Sequence, residues 1–218
     1  MLANIMKKKK SLIFGVSITV ILILGIIITY RNFFIPNGIS IDKNKYPITG
    51  IDISAHTGKV DFDKILTQKV DFIYLKATEG GNFIDPKFNE NYSDVSTKKI
   101  PVGFYHFFRF DKEGEIQANN FLKNIKDKKT SLPLVIDVEE WGNVSSKSTE
   151  EIVSEISTFI KIVENKTESK LMFYSNESSY NKYIKGIFDK NEIWICSFSK
   201  NRISKKNGLS GNIHTRGN

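Results

Sequence analysis

The chain has 218 residues, 40% hydrophobic and 12% aromatic, enough to fill one ordinary core and too apolar for wholesale disorder. The formal net charge is +8, but residues 1–36 hold five basic residues and no acid, leaving +3 for the rest; this excludes an argument for a nucleic-acid partner and suits an anionic cell-wall polymer. One cysteine, Cys196, rules out a disulfide framework within the chain and, in the apolar run 193–198, reads as a small buried residue.

Residues 1–10 form a basic tail ending in four lysines, Lys7 to Lys10. Residues 11–30 follow without a charge and are rich in Ile, Leu and Val. At 1.5 Å per residue this run spans about 30 Å, the hydrocarbon thickness of a bilayer. A cleaved signal peptide is the competing reading, but its apolar region is usually shorter and ends at a small-residue site. Here the run continues into Arg31, Asn32 and Phe33, so an uncleaved transmembrane helix is expected. The lysines precede the span and Arg31 alone lies just after it, which puts the N-terminus in the cytoplasm and everything from Phe33 outside. Residues 31–47 read as a linker, and 48–218 as the extracytoplasmic domain.

From Ile48 the chain alternates. Strands are expected over 48–54, 71–78, 100–108, 132–139, 170–175 and 192–198. Between them lie helical stripes: Phe62, Ile65 and Leu66 after Asp61 as a cap; a polar helix over 86–98; Ala118, Phe121, Leu122 and Ile125; and Ile152, Val153, Ile156, Phe159, Ile160 and Val163. Ser148 with Glu151 three residues on is a capping-box pattern that starts the last of these. Strands alternating with helices argue for a parallel sheet, as an α/β barrel or an open doubly wound sheet. No Gly-rich phosphate loop follows the first strand, which weakens a nucleotide-binding reading.

Polar residues gather where these strands end: Asp52 with Ser54, Lys76 with Glu79, His106 with Arg109, Asp137 with Glu139, and Tyr174 with Ser175. In a barrel, function collects at that end. Residues 132–141 are the most informative. Leu134, Val135 and Ile136 read as a strand buried on both faces, and Pro133 suits its start. Strand alternation puts Asp137 and Glu139 on one side, their Cα atoms about 6.6 Å apart. Two such acids push their pKa values apart, so that one keeps its proton while the other ionises, the equipment of a glycosidase. An acidic strand end in solvent is the plainer alternative. His106 reads as a hydrogen-bonded structural histidine. Three scattered histidines and one cysteine have no metal-ligand spacing, so neither metal nor cofactor is expected.

Seven stretches in order resemble glycoside hydrolase family 25, the muramidase-type lysozymes. They are residues 50–54 (Gly-Ile-Asp-Ile-Ser), 72–80, 103–107 (Gly-Phe-Tyr-His-Phe), Gln117 with Ala118, Pro133 with Asp137 to Glu139, 173–176 (Phe-Tyr-Ser-Asn), and 193–195 (Ile-Trp-Ile). The resemblance implies a TIM-like (β/α) barrel of about five β/α units plus extra strands. It also implies hydrolysis of the β-1,4 bond between N-acetylmuramic acid and N-acetylglucosamine in peptidoglycan. On it, Glu139 matches the general acid, Asp137 the partner that steadies the substrate's acetamido group, and Asp52 the acid ending the first strand. Tyr105, Tyr174, Trp141 and Glu79 are candidates for substrate binding, with core packing the alternative for the aromatic residues.

The resemblance departs at the end. No carboxylate follows residue 192, and in 199–218 the aliphatic residues are Ile203, Leu209 and Ile213. The family's closing strand and its acid are therefore expected to be missing. Two readings follow: an active membrane-anchored muramidase, for which Asp52, Asp137 and Glu139 speak, or an inactive relative that binds peptidoglycan or an envelope partner, for which the missing tail speaks.

Overall fold

A computed structural model describes residues 47–196 continuously, together with Ile23, Gly25, Asn44 and the backbone of Gly211 and Asn212. The chain divides at residue 40, and the fold described here belongs to the unit Ile41–Asn218. The span expected over 11–30 and the linker expected over 31–47 fall almost wholly outside the described residues. Among the described residues no helix is long and apolar enough to cross a membrane.

The described elements are, in order, β1 (Gly50–Ile53), a 3-10 turn (Ala55–Thr57), α1 (Phe62–Leu66), β2 (Phe72–Glu79), β3 (Phe83–Ile84), α2 (Phe88–Ser96) and β4 (Val102–Phe107). Then follow α3 (Gly114–Ile125), β5 (Val135–Val138), α4 (Thr149–Thr167), β6 (Met172–Asn176), α5 (Glu177–Ser179) running into a π-helical turn (Tyr180–Ile184), β7 (Glu192–Cys196) and β8 (Gly211–Asn212). One sheet runs in the order β1-β2-β4-β5-β6-β7-β8, every pairing on this path parallel, with β3 folded back antiparallel on β2.

The sheet is strongly curved. Tyr74 of β2 and Trp194 of β7 lie four strand positions apart, about 19 Å across a flat sheet at the usual inter-strand spacing. Their ring centroids are 5.6 Å apart, and the Tyr74 hydroxyl donates to the Pro133 carbonyl at 3.0 Å. The inner face therefore closes on itself around Phe72, Tyr74, Val135 and Trp194. The outer face carries Ile53, Ile73, Leu75, Phe104, Ile136, Val138, Phe173 and Ile193, packed beneath the apolar stripes of the helices. The architecture is an α/β half-barrel of parallel strands, consistent with the TIM-like fold that the resemblance implies, and among the described residues no pairing joins β8 to β1.

One expectation needs correction. The strand expected over 132–139 is shorter, Val135–Val138, and Glu139 lies just beyond it. After β7, the two residues of β8 pair along its edge, with Gly211 opposite Ile195 and Asn212 opposite Cys196. The partner edge imposes extended backbone on a segment with no strand-forming side chains of its own.

The helices are fixed by local chemistry as read from the sequence. The Ser148 N–H donates to the Glu151 carboxylate at 2.6 Å and Glu151 N–H returns to the Ser148 hydroxyl at 3.2 Å. Such a cap contributes about 1 kcal/mol. The start of α3 crosses α4 at Gly114, whose N–H donates to the Glu155 carboxylate at 2.7 Å. A Cβ at residue 114 would meet the Glu155 carbonyl oxygen at 2.0 Å, a backbone atom inside a helix that cannot move aside. Gly114→Ala is accordingly expected to force α3 from α4 and lower stability by about 1–3 kcal/mol. At about 2–4 °C per kcal/mol for a domain of this size, the shift is readable in a thermal melt. An unchanged melting temperature would mean that the two helices do not cross this closely.

Candidate active site

The C-terminal ends of the parallel strands share one end of the half-barrel. The register sets Lys76 beside Tyr105, Phe107 beside Asp137, Asp137 beside Tyr174, and Tyr174 beside Trp194. These residues belong to the inward phase of their strands. The sequence-predicted acids Asp52, Asp137 and Glu139 act on one another here: burial raises the Asp137 carboxyl well above the usual carboxylate range, with the charges of Glu139 and Asp52 adding to it and that of Lys76 opposing. Asp137 Oδ1 is buried without a hydrogen-bond partner in the described structure. A carboxyl in that state keeps its proton in a range where an exposed one has lost it.

Glu139 is half-buried at the mouth, where its Oε1 accepts from Asn176 Nδ2 at 3.2 Å. Asn176 is oriented by α5, because its Oδ1 caps that helix by accepting from the Ser179 N–H at 2.9 Å. The backbone of Glu139 is held by Asn143, a buried amide that donates to the Glu139 and Phe108 carbonyls at 3.0 and 2.7 Å and accepts from the Phe110 N–H at 2.8 Å. One side chain thus staples the turn after β5 to the loop after β4. Glu140, next in the chain, turns away: its carboxylate accepts from Lys182, Ser178 and Tyr183 at 2.7–3.1 Å.

Glu79 reaches the site through a bulge in β2. The register with β4 slips between Lys76 and Thr78, leaving Ala77 unmatched. Strict alternation would send Glu79 to the face opposite Lys76. The extra residue resets the phase, so that Glu79 Oε2 accepts from the buried Lys76 ammonium at 2.7 Å, and Thr78 meets His106 on the outer face, Oγ1 to Nδ1 at 2.8 Å. Arg109 lies 3.7 Å from Glu79 and donates to the Gly142 carbonyl at 2.9 Å, which connects Glu79 to the loop that carries Trp141. Of the predicted substrate-binding residues, Glu79 is therefore engaged by two cations, and Trp141 stands 73% exposed on that loop. Tyr105 is half-buried and close enough to Asp52 and Asp137 for burial and their charges to raise its hydroxyl pKa. Tyr174 packs edge-on against Trp194 at 5.1 Å.

His106 is fully buried, with Nε2 3.2 Å from Gln117 Oε1, and burial lowers its pKa to about 3. Gln117 in turn donates to the Arg109 carbonyl at 2.9 Å, so this pair shapes the loop after β4 from behind the site.

Sequence reasoning missed Asn143, Asn176 and Asp85. Asp85 is buried, accepts from Ala55 N–H and Lys87 N–H at 2.9 Å each, and ties the loop after β1 to the loop after β3. The Asp-Pro pair at residues 85–86 was its signal, since Asp commonly accepts from the backbone two residues on. Nothing local distinguishes Asn143 from an ordinary loop asparagine.

A family model described as glycosyl hydrolases family 25 matches residues 51–214. The chain is 30% identical over 162 residues to an uncharacterized protein, YegX, of Escherichia coli strain K12, covering 72% of this chain and 58% of that protein. It is 30% identical over 160 residues to Lysozyme M1 of Streptomyces globisporus, covering 68% and 54%. The structure of a family 25 glycosyl hydrolase from Bacillus anthracis superposes with a TM-score of 0.70 at 33% identity, over 78% of this chain and 79% of that one. The chain thus spans little more than half the length of the curated relatives it matches.

Proposed function

We propose that this chain, which belongs to glycosyl hydrolase family 25, is a peptidoglycan muramidase that hydrolyses the β-1,4 bond between N-acetylmuramic acid and N-acetylglucosamine. The observation that carries the reading is the carboxyl set at the strand ends, with Asp137 raised by burial and by the charges of Glu139 and Asp52. Glu139, at the mouth and oriented by Asn176, is the general acid that protonates the leaving oxygen. Asp137 accepts the substrate's acetamido N–H, which favours its anion and passes its proton to Glu139. Its negative charge then steadies the positive charge that develops at the sugar. Asp52 completes the set, while Tyr105, Tyr174 and the exposed Trp141 offer faces for the sugar rings. The test is reducing-end release from purified peptidoglycan by the full chain, with mass spectrometry of the new ends. Muramic acid there supports the proposal; no release with retained peptidoglycan binding replaces it with the binding reading.

The proposal includes a single-pass anchor over residues 11–30 with a cytoplasmic N-terminus. Four lysines before twenty uncharged residues support it. The full chain is expected to stay with membranes through a carbonate wash, and protease added outside is expected to digest the domain. A released form starting near residues 31–40 would restore the cleaved-signal reading.

A further inference from the structure

At the end of the half-barrel opposite the carboxyls lies a groove lined by lysines. Because the strands are parallel, the connections leading into β5, β6 and β7 all lie at their N-terminal ends. The groove, of about 1530 Å³, opens there, between the ends of α3 and α4 and the strand starts. It is lined by Lys123, Lys126, Lys128, Lys166, Lys170 and Lys190, with Glu192 the one carboxylate of its lining. Three of these lysines are engaged within the fold: Lys170 by Glu164 at 2.5 Å, Lys126 by Asp127 at 3.9 Å, and Lys128 by the Asn124 carbonyl at 3.1 Å. Lys123, Lys166 and Lys190 have no ion-pair or hydrogen-bond partner among the described residues. Lys123 and Lys166 occupy the last turns of α3 and α4, where a cation offsets the helix dipole. Lys190 lies outside any helix, so the dipole does not account for it.

A second observation concerns how the chain arrives. Pro47 leads directly into β1, whose N-terminal end is on this same face. Sixteen residues separate Pro47 from the proposed span, a tether of at most about 55 Å fully extended. We infer that the face around Lys123, Lys166 and Lys190 rests on the anionic lipid surface of the membrane, turning the carboxyl end outward. The inference rests on the proposed anchor for the tether and on the lysines for the contact. Each lysine near an anionic surface favours contact roughly fivefold, so three together favour it on the order of a hundredfold, with the attraction falling off within a Debye length.

The full chain reconstituted into phosphatidylcholine vesicles, with or without phosphatidylglycerol, tests this. Amine acylation is read residue by residue by mass spectrometry, with Lys112, in the loop after β4 at the carboxyl end, as the internal reference. Lys123, Lys166 and Lys190 are expected to label several-fold more slowly on the anionic vesicles, and high salt is expected to abolish the difference. Lys126 and Lys170 share the groove lining and are expected to be slowed with them, and exchanging Lys123, Lys166 and Lys190 for Glu in one variant should remove that slowing at low salt. Equal labelling on both vesicles, with the chain floating with both, overturns the inference and leaves the anchor standing. Flotation with anionic vesicles alone, with the lysines still protected, overturns the anchor and supports the face. Protection by soluble polyphosphate in detergent, matched by none on vesicles, assigns the groove to a phosphate polymer and overturns the lipid surface.

Discussion

Glu139→Gln is expected to reduce turnover of purified peptidoglycan by roughly 10²–10⁴-fold, the usual contribution of a general acid. The substitution is nearly isosteric. A Gln side-chain oxygen can accept from Asn176 Nδ2 as the carboxylate does at 3.2 Å, so the turn after β5 has no reason to move. What is lost is the proton. Glycan binding and the melting temperature should therefore stay close to those of the unmutated chain while reducing-end release collapses. Glu140→Gln is the internal control. Its carboxylate faces Lys182, Ser178 and Tyr183 on the α5 side, so the variant should lose some packing and little activity. Equal activity in the Glu139→Gln and unmutated proteins would remove Glu139 from the chemistry.

Asp137→Asn should separate activity from stability. Turnover is expected to fall on the order of a hundredfold or more, because an amide supplies no anion opposite the charge that develops at the sugar. Stability near neutral pH is expected to rise, because an amide carries no proton that the unfolded chain would release. The pH dependence gives the sharper readout. A carboxyl raised above its ordinary 3.8 holds a proton in the native state that the unfolded chain has released. Stability therefore falls as pH rises from 3.8 to the native value, by up to about 1.4 kcal/mol per pH unit. His106 has the opposite sign. Its pKa drops from 6.5 to about 3, so between those values the unfolded chain holds a proton that the native state refuses, and stability falls as pH falls. The two slopes oppose each other in the window they share, from 3.8 toward 6.5. Removing Asp137 should leave the histidine slope uncovered, so the variant's advantage at neutral pH shrinks as the solution is acidified. Urea unfolding of both proteins across that window measures the difference, and parallel profiles would show that Asp137 is not raised.

Much of this was legible because its signals are periodic or reciprocal. The stripe from Ile152 to Val163 and the Ser148–Glu151 box specify α4 without tertiary help, and they are found where expected. Strand alternation predicts Asp137 and Glu139 together; the strand ends at Val138, and Glu139 nevertheless lies close enough for its charge to act on Asp137. Other parts depended on the rest of the chain. Gly211 and Asn212 carry no strand propensity and are extended because β7 offers an edge. The turn at Tyr180–Ile184 is π-helical, a period that apolar spacing does not reveal. Asn143 acts through three backbone contacts to residues far from it or on the next turn, and no local pattern encodes such a staple.

The unmatched Ala77 has a consequence for insertions and deletions. Alanine contributes no charge, proton or hydrogen bond from its side chain, yet its presence decides which side of β2 everything after it faces. A chain lacking this one residue would keep every acid and every base of the site in its composition. Its Glu79 would nevertheless be turned among the apolar side chains beneath the helices, and the Lys76 ammonium would face Asp137 without the carboxylate now 2.7 Å away. An uncompensated cation there would draw the proton off Asp137. The length of β2, counted in single residues, thus sets the protonation of an acid two strands away, and a side chain of one methyl group is what keeps count.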